Sequence, residues 1–355
     1  MKKYQILIIV LASILVILSG PIFPEKAEPK QTNFTAYLSA KITGGKNVLY
    51  CTTFQLAWDV LAGDVIKQKE IVLSGSPRTA QELNKRLTGK EDVSADSYIA
   101  MAGYKKENII GKINNALKKK FGKDAPKLDK NELINPEDVI AYAYLYKNLE
   151  FENKFESLKD PVLFGDKKVS VNAFGIEKMD DGEKYLKAAK QVSILHYKDG
   201  GSFVISLKSK SADDEIILAV IDPGKTLLDT VNSMNKLIDA GKRVYLQKGD
   251  TLQIPKLDFD IKHDYKELEN RAVLNKGFEG YMIAKAVQSI RFRLNEEGAL
   301  LKSEAKITMV KSAIMLEEPK KLIFDKPFLV CLKEKAAQYP YLAIWVDNPE
   351  ILLKK

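Results

Sequence analysis

The chain has 355 residues, 45% hydrophobic and 29% charged, with a formal net charge of +9. That composition belongs to a soluble globular protein with apolar content for one large domain or two ordinary ones. Its lysines are scattered, with short clusters at Lys118-Lys119-Lys120 and Lys320-Lys321, and no aromatic-interleaved basic patch points to nucleic acid. A solubilising surface is the plain reading of the charge; contact with a polyanion or an anionic membrane is the other.

At the N-terminus, Lys2-Lys3 precede an apolar run from Ile6 to Leu18, followed by Ser19-Gly20-Pro21. A basic start and a short apolar core predict an export signal over residues 1–20, shorter than an ordinary membrane span. No A-x-A-like cleavage site follows, so the segment reads as a signal peptide or a signal anchor. Export makes the protein extracytoplasmic, either secreted or held to the membrane through residues 6–18. Pro21, Pro24 and Pro29 turn residues 21–31 into a tether. Residues 32–355 carry no linker or repeat and read as a single domain. Only two cysteines occur, Cys51 and Cys331. Outside the cytoplasm they could form a disulfide; two buried thiols that never meet is the alternative.

Asn47–Tyr50 predicts a short strand, and Thr53–Ala62 a buried helix capped by Thr52 or Thr53 and ended by Gly63. Residues 64–105 give little signal. From about Lys106 to Phe121, Ile109, Ile113, Ala116, Leu117 and Phe121 form one stripe of an amphipathic helix that Gly122 stops. The Val139–Leu149 run suits a central strand. Strands follow at Val169–Phe174, Val192–Tyr197, Phe203–Leu207 and Ile216–Ile221, then a helix from Thr226 to Asp239. Leu257, Phe259 and Ile261 alternate with polar neighbours, and Asp264 with Glu267 predicts a capping-box helix start. Helices early and strands late give an α+β fold with large mixed or antiparallel sheets.

The most informative stretch is 290–317. Ile290, Phe292 and Leu294 alternate with Arg291, Arg293 and Asn295, the period of a half-buried strand. Glu296-Glu297-Gly298 then permits a sharp turn. Alternation resumes with Ser303, Ala305, Ile307 and Met309 on one face. A permanent strand or edge strand over 303–313 explains that alternation equally well. Chemistry for catalysis is sparse. His196 and His263 pair with no metal-ligand or nucleophile spacing, Asp180-Asp181 and Asp213-Asp214 read as turn acids, and no phosphate-cradling loop occurs. The chain does not read as an enzyme, and no cofactor or metal site is expected.

Taken together, these motifs resemble the serpin family in order along residues 32–352. Asn47–Gly63 is similar to its strand and buried helix, with Cys51-Thr52 replacing Ser-Pro. Glu137–Phe155, Ile216–Pro223 and Gln253-Ile254-Pro255-Lys256 follow in sequence. Phe324–Phe328 and Val346-Asp347-Asn348-Pro349 resemble the C-terminal signatures. The resemblance implies an exposed or inserted reactive loop whose hinge is Glu296, Glu297, Gly298, Ser303, Glu304 and Ala305. It implies a suicide-substrate inhibitor of serine (or cysteine) proteases, monomeric and without cofactor. Three departures stand out. Ala299-Leu300-Leu301-Lys302 look inserted after the hinge glycine, which adds slack or misregister. The family's switch positions carry Ala143, Phe151 and Gln288. The segment between 63 and 106 is short, so a helix and an edge strand are expected to be trimmed. Register from Ser303 puts the scissile bond at Leu316-Glu317, suiting a chymotrypsin-like or elastase-like protease. A non-inhibitory serpin-fold binding protein, or a simple protease substrate, is the alternative.

Overall fold

A computed structural model describes residues 29–299 and 318–355, except Asp124, Asp180 and Asp181, and the backbone of Val10 and Leu11. The hinge continuation Ser303, Glu304 and Ala305 and the candidate bond Leu316-Glu317 lie outside the described residues, as does most of the leader.

The largest sheet has eight strands in the order β14-β11-β12-β13-β20-β21-β3-β2. These are β14 (Val244–Tyr245), β11 (Val192–Asp199), β12 (Ser202–Leu207), β13 (Asp214–Val220), β20 (Phe328–Glu334), β21 (Leu342–Val346), β3 (Asn47–Cys51) and β2 (Thr32–Thr35). All neighbours are antiparallel except β2 and β3. Its central strands read as unbroken apolar runs because both faces are covered. Ile216, Leu218 and Val220 enter the main core, whereas Ile217 and Ala219 meet Leu227, Val231 and Met234 of helix α5 (Leu227–Ala240). Thr226 and Asp229 close the capping box that starts α5.

That sheet also decides the cysteines. Cys331 pairs with Ala343, which pairs with Tyr50, so Cys331 and Cys51 stand two strands apart. Two strand spacings are about 9–10 Å, beyond disulfide reach. Cys51 moreover faces the main core and Cys331 the α5 side. Both are free buried thiols, and the disulfide option is overturned.

A four-stranded sheet orders β19 (Lys321–Ile323), β15 (Thr251–Pro255), β10 (Ala173–Ile176) and β7 (Glu156–Ser157). A small hairpin joins β8 (Val162–Phe164) and β9 (Val169–Val171). The remaining strands matter most for function. β16 (Leu257–Asp264) pairs along its whole length with β17 (Lys285–Asn295). β4 (Tyr98–Tyr104) pairs with β5 (Val139–Leu145). Among the described residues these two ladders share no direct pairing, and β4 pairs with β5 alone. Two short bridges sit against β17 on the side away from β16. At its C-terminal end β18 (Gly298–Ala299) lies between β17 and β6 (Leu149–Glu150); at its N-terminal end β1 (Val10–Leu11) runs parallel to Lys285 and Ala286.

Helix α1 (Thr53–Val60) is buried as its composition requires, but it does not stop at Gly63: a wider π-type turn carries it from Leu61 to Ile66. Helix α2 (Arg78–Asn84) and strand β4 fill the stretch that gave little sequence signal. Helix α3 (Ile109–Phe121) lays its stripe on Ile99, Ile140 and Tyr142. Helix α4 (Glu183–Ala189) had no expectation. The expected helix after Asp264 is instead a series of turns. Glu267, the second member of that box, accepts a hydrogen bond from Thr79 Oγ1 at 2.6 Å, so a tertiary partner replaces the local cap.

Candidate functional site

The candidate site is the hinge at the end of β17. Asn295–Gly298 reverses the chain, and Gly298 (φ +123°) and Ala299 form antiparallel pairs with β17 on one side and β6 on the other. A Cβ at Gly298 would stand 2.4 Å from Leu149 O, 2.6 Å from Glu150 Cα and 2.7 Å from Phe151 N. Those neighbours are backbone atoms and cannot step aside, so the position demands glycine for close approach as well as for φ. Phe151 N donates to Glu297 O and Phe155 N to Glu296 O, both at 2.9 Å. The turn is thus stitched to the chain that follows β6.

Charge holds the same turn. Lys256 Nζ lies 2.6 Å from Glu296 Oε2, with both side chains mostly buried. Burial pushes the Glu296 carboxyl up, but the Lys256 hydrogen bond and the surrounding lysine charges outweigh it, and the net direction is down. Lys154 pairs with Glu297 at 2.8 Å on the exposed side, a contact worth little to stability. Neither pairing carried a local sequence signal, because each partner lies far along the chain.

The three residues expected at switch positions have separate surroundings. Phe151, 3% exposed, bridges Ser209 and packs its ring on Phe155 at 4.9 Å, so an apolar cluster with Phe174 floors the hinge. Gln288, 1% exposed, is a polar hub at the middle of β17. Its Nε2 donates to Thr53 Oγ1 (2.7 Å) and Cys51 O (3.1 Å), and its Oε1 accepts from Tyr265 OH (2.8 Å). Ala143, buried in β5, has only a methyl group to offer. Each of these Gln288 bonds goes to α1, to the end of β3 or to Tyr265, and none to β5.

One group of residues was misread. Asp214 is not a turn acid: it is buried and accepts from Lys147 Nζ (2.8 Å), Tyr341 OH (3.0 Å) and Ser211 Oγ (2.7 Å). Lys147 also meets Glu334 at 2.6 Å. Lys147 lies between β5 and β6, while Asp214 and Glu334 are paired across β13 and β20. The cluster therefore fastens the β6 wall of the hinge to the large sheet. His263 stacks on Phe34 and edges Tyr265, a packing role.

No protein-family model matches the sequence, and no curated protein matches it. Solved structures do. The chain aligns with the crystal structure of maspin at a TM-score of 0.54 and 13% identity, covering 85% of this chain and 92% of that one. A serpin from the trematode Schistosoma haematobium aligns at 0.48 and 14%, covering 86% and 95%. Serpin48 of the insect Tenebrio molitor aligns at 0.44 and 13%, covering 86% and 92%. The maspin alignment covers most of both chains, and it shows the fold: this chain has a divergent, serpin-like α+β fold.

Proposed function

We propose that the chain is an exported inhibitor that traps a protease by reactive-loop cleavage and insertion. The observation that carries this reading is the seated hinge: Gly298 and Ala299 already occupy the first two positions of a strand between β17 and β6. Beyond them, β17 runs on from Arg293 back to Lys285, the length along which an inserting strand would pair. Continuing the Leu294–Ala299 register would set Ser303 opposite Ile290 and Ala305 opposite Gln288, before the strand reaches Ala286, where Leu11 pairs. Leu294, Ile290 and Ala286 face the core, so the odd-numbered loop residues would face it too. Four inserted residues are an even number and leave that facing unchanged, so the insertion after Gly298 lengthens the strand without inverting it.

The mechanism follows from strand pairing. A protease attacks the exposed loop as substrate and forms an acyl-enzyme; the freed N-terminal portion then inserts, carrying the enzyme with it. Inhibition depends on insertion outrunning deacylation. Ala143 favours speed, because no side-chain hydrogen bond from that position needs breaking. Ile307 and Met309 oppose it, since bulky inward groups require a wider opening. Leucine at 316 directs the loop toward a chymotrypsin-like or elastase-like enzyme, and the basic, apolar leader supports export.

Incubation with chymotrypsin and elastase, resolved by denaturing electrophoresis, tests this. An SDS-stable covalent complex is the expected product. Complete cleavage near residue 316 with no complex would reject inhibition and leave a serpin-fold binding protein or simple substrate.

A further inference from the structure

The N-terminal apolar run meets the domain at a place that matters for the loop. Val10 and Leu11 pair in parallel with Lys285 and Ala286, and their backbone also runs close to β5 and α1. They therefore lie between the β16–β17 and β4–β5 ladders, on the same edge of β17 whose other end holds Gly298 and Ala299. Backbone groups of β17 point alternately to its two sides. Ala286 O accepts from Tyr265 N at 2.7 Å on the β16 side, so the backbone groups of Lys285 and Val287 turn toward β1.

Composition and reach agree with this placement. Seven of the thirteen residues from Ile6 to Leu18 are Ile or Val, side chains suited to strands. An unbroken apolar run is what a strand covered on both faces requires. The neighbouring β5 is covered in that way: Ala141 and Ala143 face the main core, while Ile140 and Tyr142 meet α3. The loop is different, since Glu304 and Lys306 alternate with Ser303 and Ala305, which suits a strand with one solvated face. The chain also reaches. Gln288 Nε2 donates to Cys51 O, and Asn47, at the start of that strand, pairs with Thr32. The 21 residues from Leu11 to Thr32 can span about 70 Å, well beyond two short strand segments and the link between them.

We propose that the channel between β17 and β5 is the seat of the chain's own N-terminal apolar run, and that the reactive loop must displace this run to insert fully. Continuing the Val10–Lys285 register would set Ser13 opposite Gln288 and Leu15 opposite Ile290, the positions that the loop register gives to Ala305 and Ser303. One edge of β17 cannot pair with both. A chain whose run is removed, or drawn into a bilayer, inserts its loop against no competitor. A chain that keeps the run seated stops its loop near Ala305. The competition rests on the inhibitory reading; the seat itself does not.

The test compares the full chain with Val10→Pro/Leu11→Pro in detergent-free buffer, before and after the loop is nicked near residue 316. Proline cannot donate to a ladder, and both substitutions lie in the leader. Amide exchange at Val287 should quicken at least tenfold in the variant, with β13 and β20 unchanged. The uncut variant should melt several degrees below wild type, whereas the two nicked proteins should melt alike, because the inserted loop has replaced the run in both. Unchanged exchange at Val287 would overturn the seat, whatever the protease assay shows. So would protection of Val287 that is lost in Lys306→Pro instead, which gives the channel to the loop. Melting temperatures that differ equally before and after nicking would overturn the competition. If nicking raises neither of them, the inhibitory reading falls with it, and Val287 still decides the seat.

Discussion

Gly298 shows how a single position sets the geometry of a functional segment. Its backbone touches Leu149, Glu150 and Phe151 closer than any Cβ allows, so Gly298→Ala must push β18 away from β6. A strained left-handed alanine costs about 1–3 kcal/mol, and the variant should show faster amide exchange at residues 298–299 with little change in β13 or β20. Unchanged exchange would contradict the seated hinge. Asp59 makes a second residue-scale case. Burial raises its carboxyl to about 6, against the opposing Gln55 hydrogen bond and the Arg86 charge. A folded value above the ordinary one means that the folded chain holds more protons than the unfolded chain between about pH 4 and 6. Stability therefore falls as pH rises through that window. Asp59→Asn keeps an acceptor for Gln55, so it should raise the melting temperature at pH 7 and flatten the dependence between pH 4 and 6.

Among the elements, the β5–β6 segment depends on Lys147. This side chain is 6% exposed and meets two carboxylates that belong to the large sheet. Removing one partner of a buried ionic cluster leaves uncompensated charge at a cost of about 3–5 kcal/mol. Lys147→Met should lose that much in urea unfolding, and Lys147→Met/Asp214→Asn/Glu334→Gln should recover most of it. A single variant as stable as wild type would show that the cluster fastens nothing. Elements governed by a repeating apolar period were legible: α3, α5, β16 and the C-terminal half of β17 fall where alternation or the helical stripe puts them. Helix α4 and strand β4 were not. β4 reads Tyr98-Ile99-Ala100-Met101-Ala102-Gly103-Tyr104, apolar on both faces, because α3 covers one side and the main core the other. The cap expected at Asp264 failed for the complementary reason: Glu267 found Thr79, remote in sequence.

For the molecule as a whole, the loop reading predicts a change in global stability. Pairing along the β17 edge would add ladder hydrogen bonds at about 0.5–1.5 kcal/mol each and inward burial at about 25 cal/mol per Å², together of order 10 kcal/mol. At about 2 °C per kcal/mol for a domain of this size, a nick in the loop should raise the melting temperature by about 20 °C. A fall on nicking would identify 303–313 as a permanent strand already in place. The turn after β17 was readable in the chain, since Glu296-Glu297-Gly298 is a local pattern that ends one strand and begins a turn. So was the fold class. The rest was settled only by folding: Lys256 on Glu296, Lys147 on Asp214 and Glu334, and the opposite-face separation of Cys51 and Cys331. Periodicity and turn chemistry are properties of neighbouring residues and survive in one dimension. Ion pairs between distant segments, and the facing of strands two places apart in a sheet, exist only once the sheets have assembled.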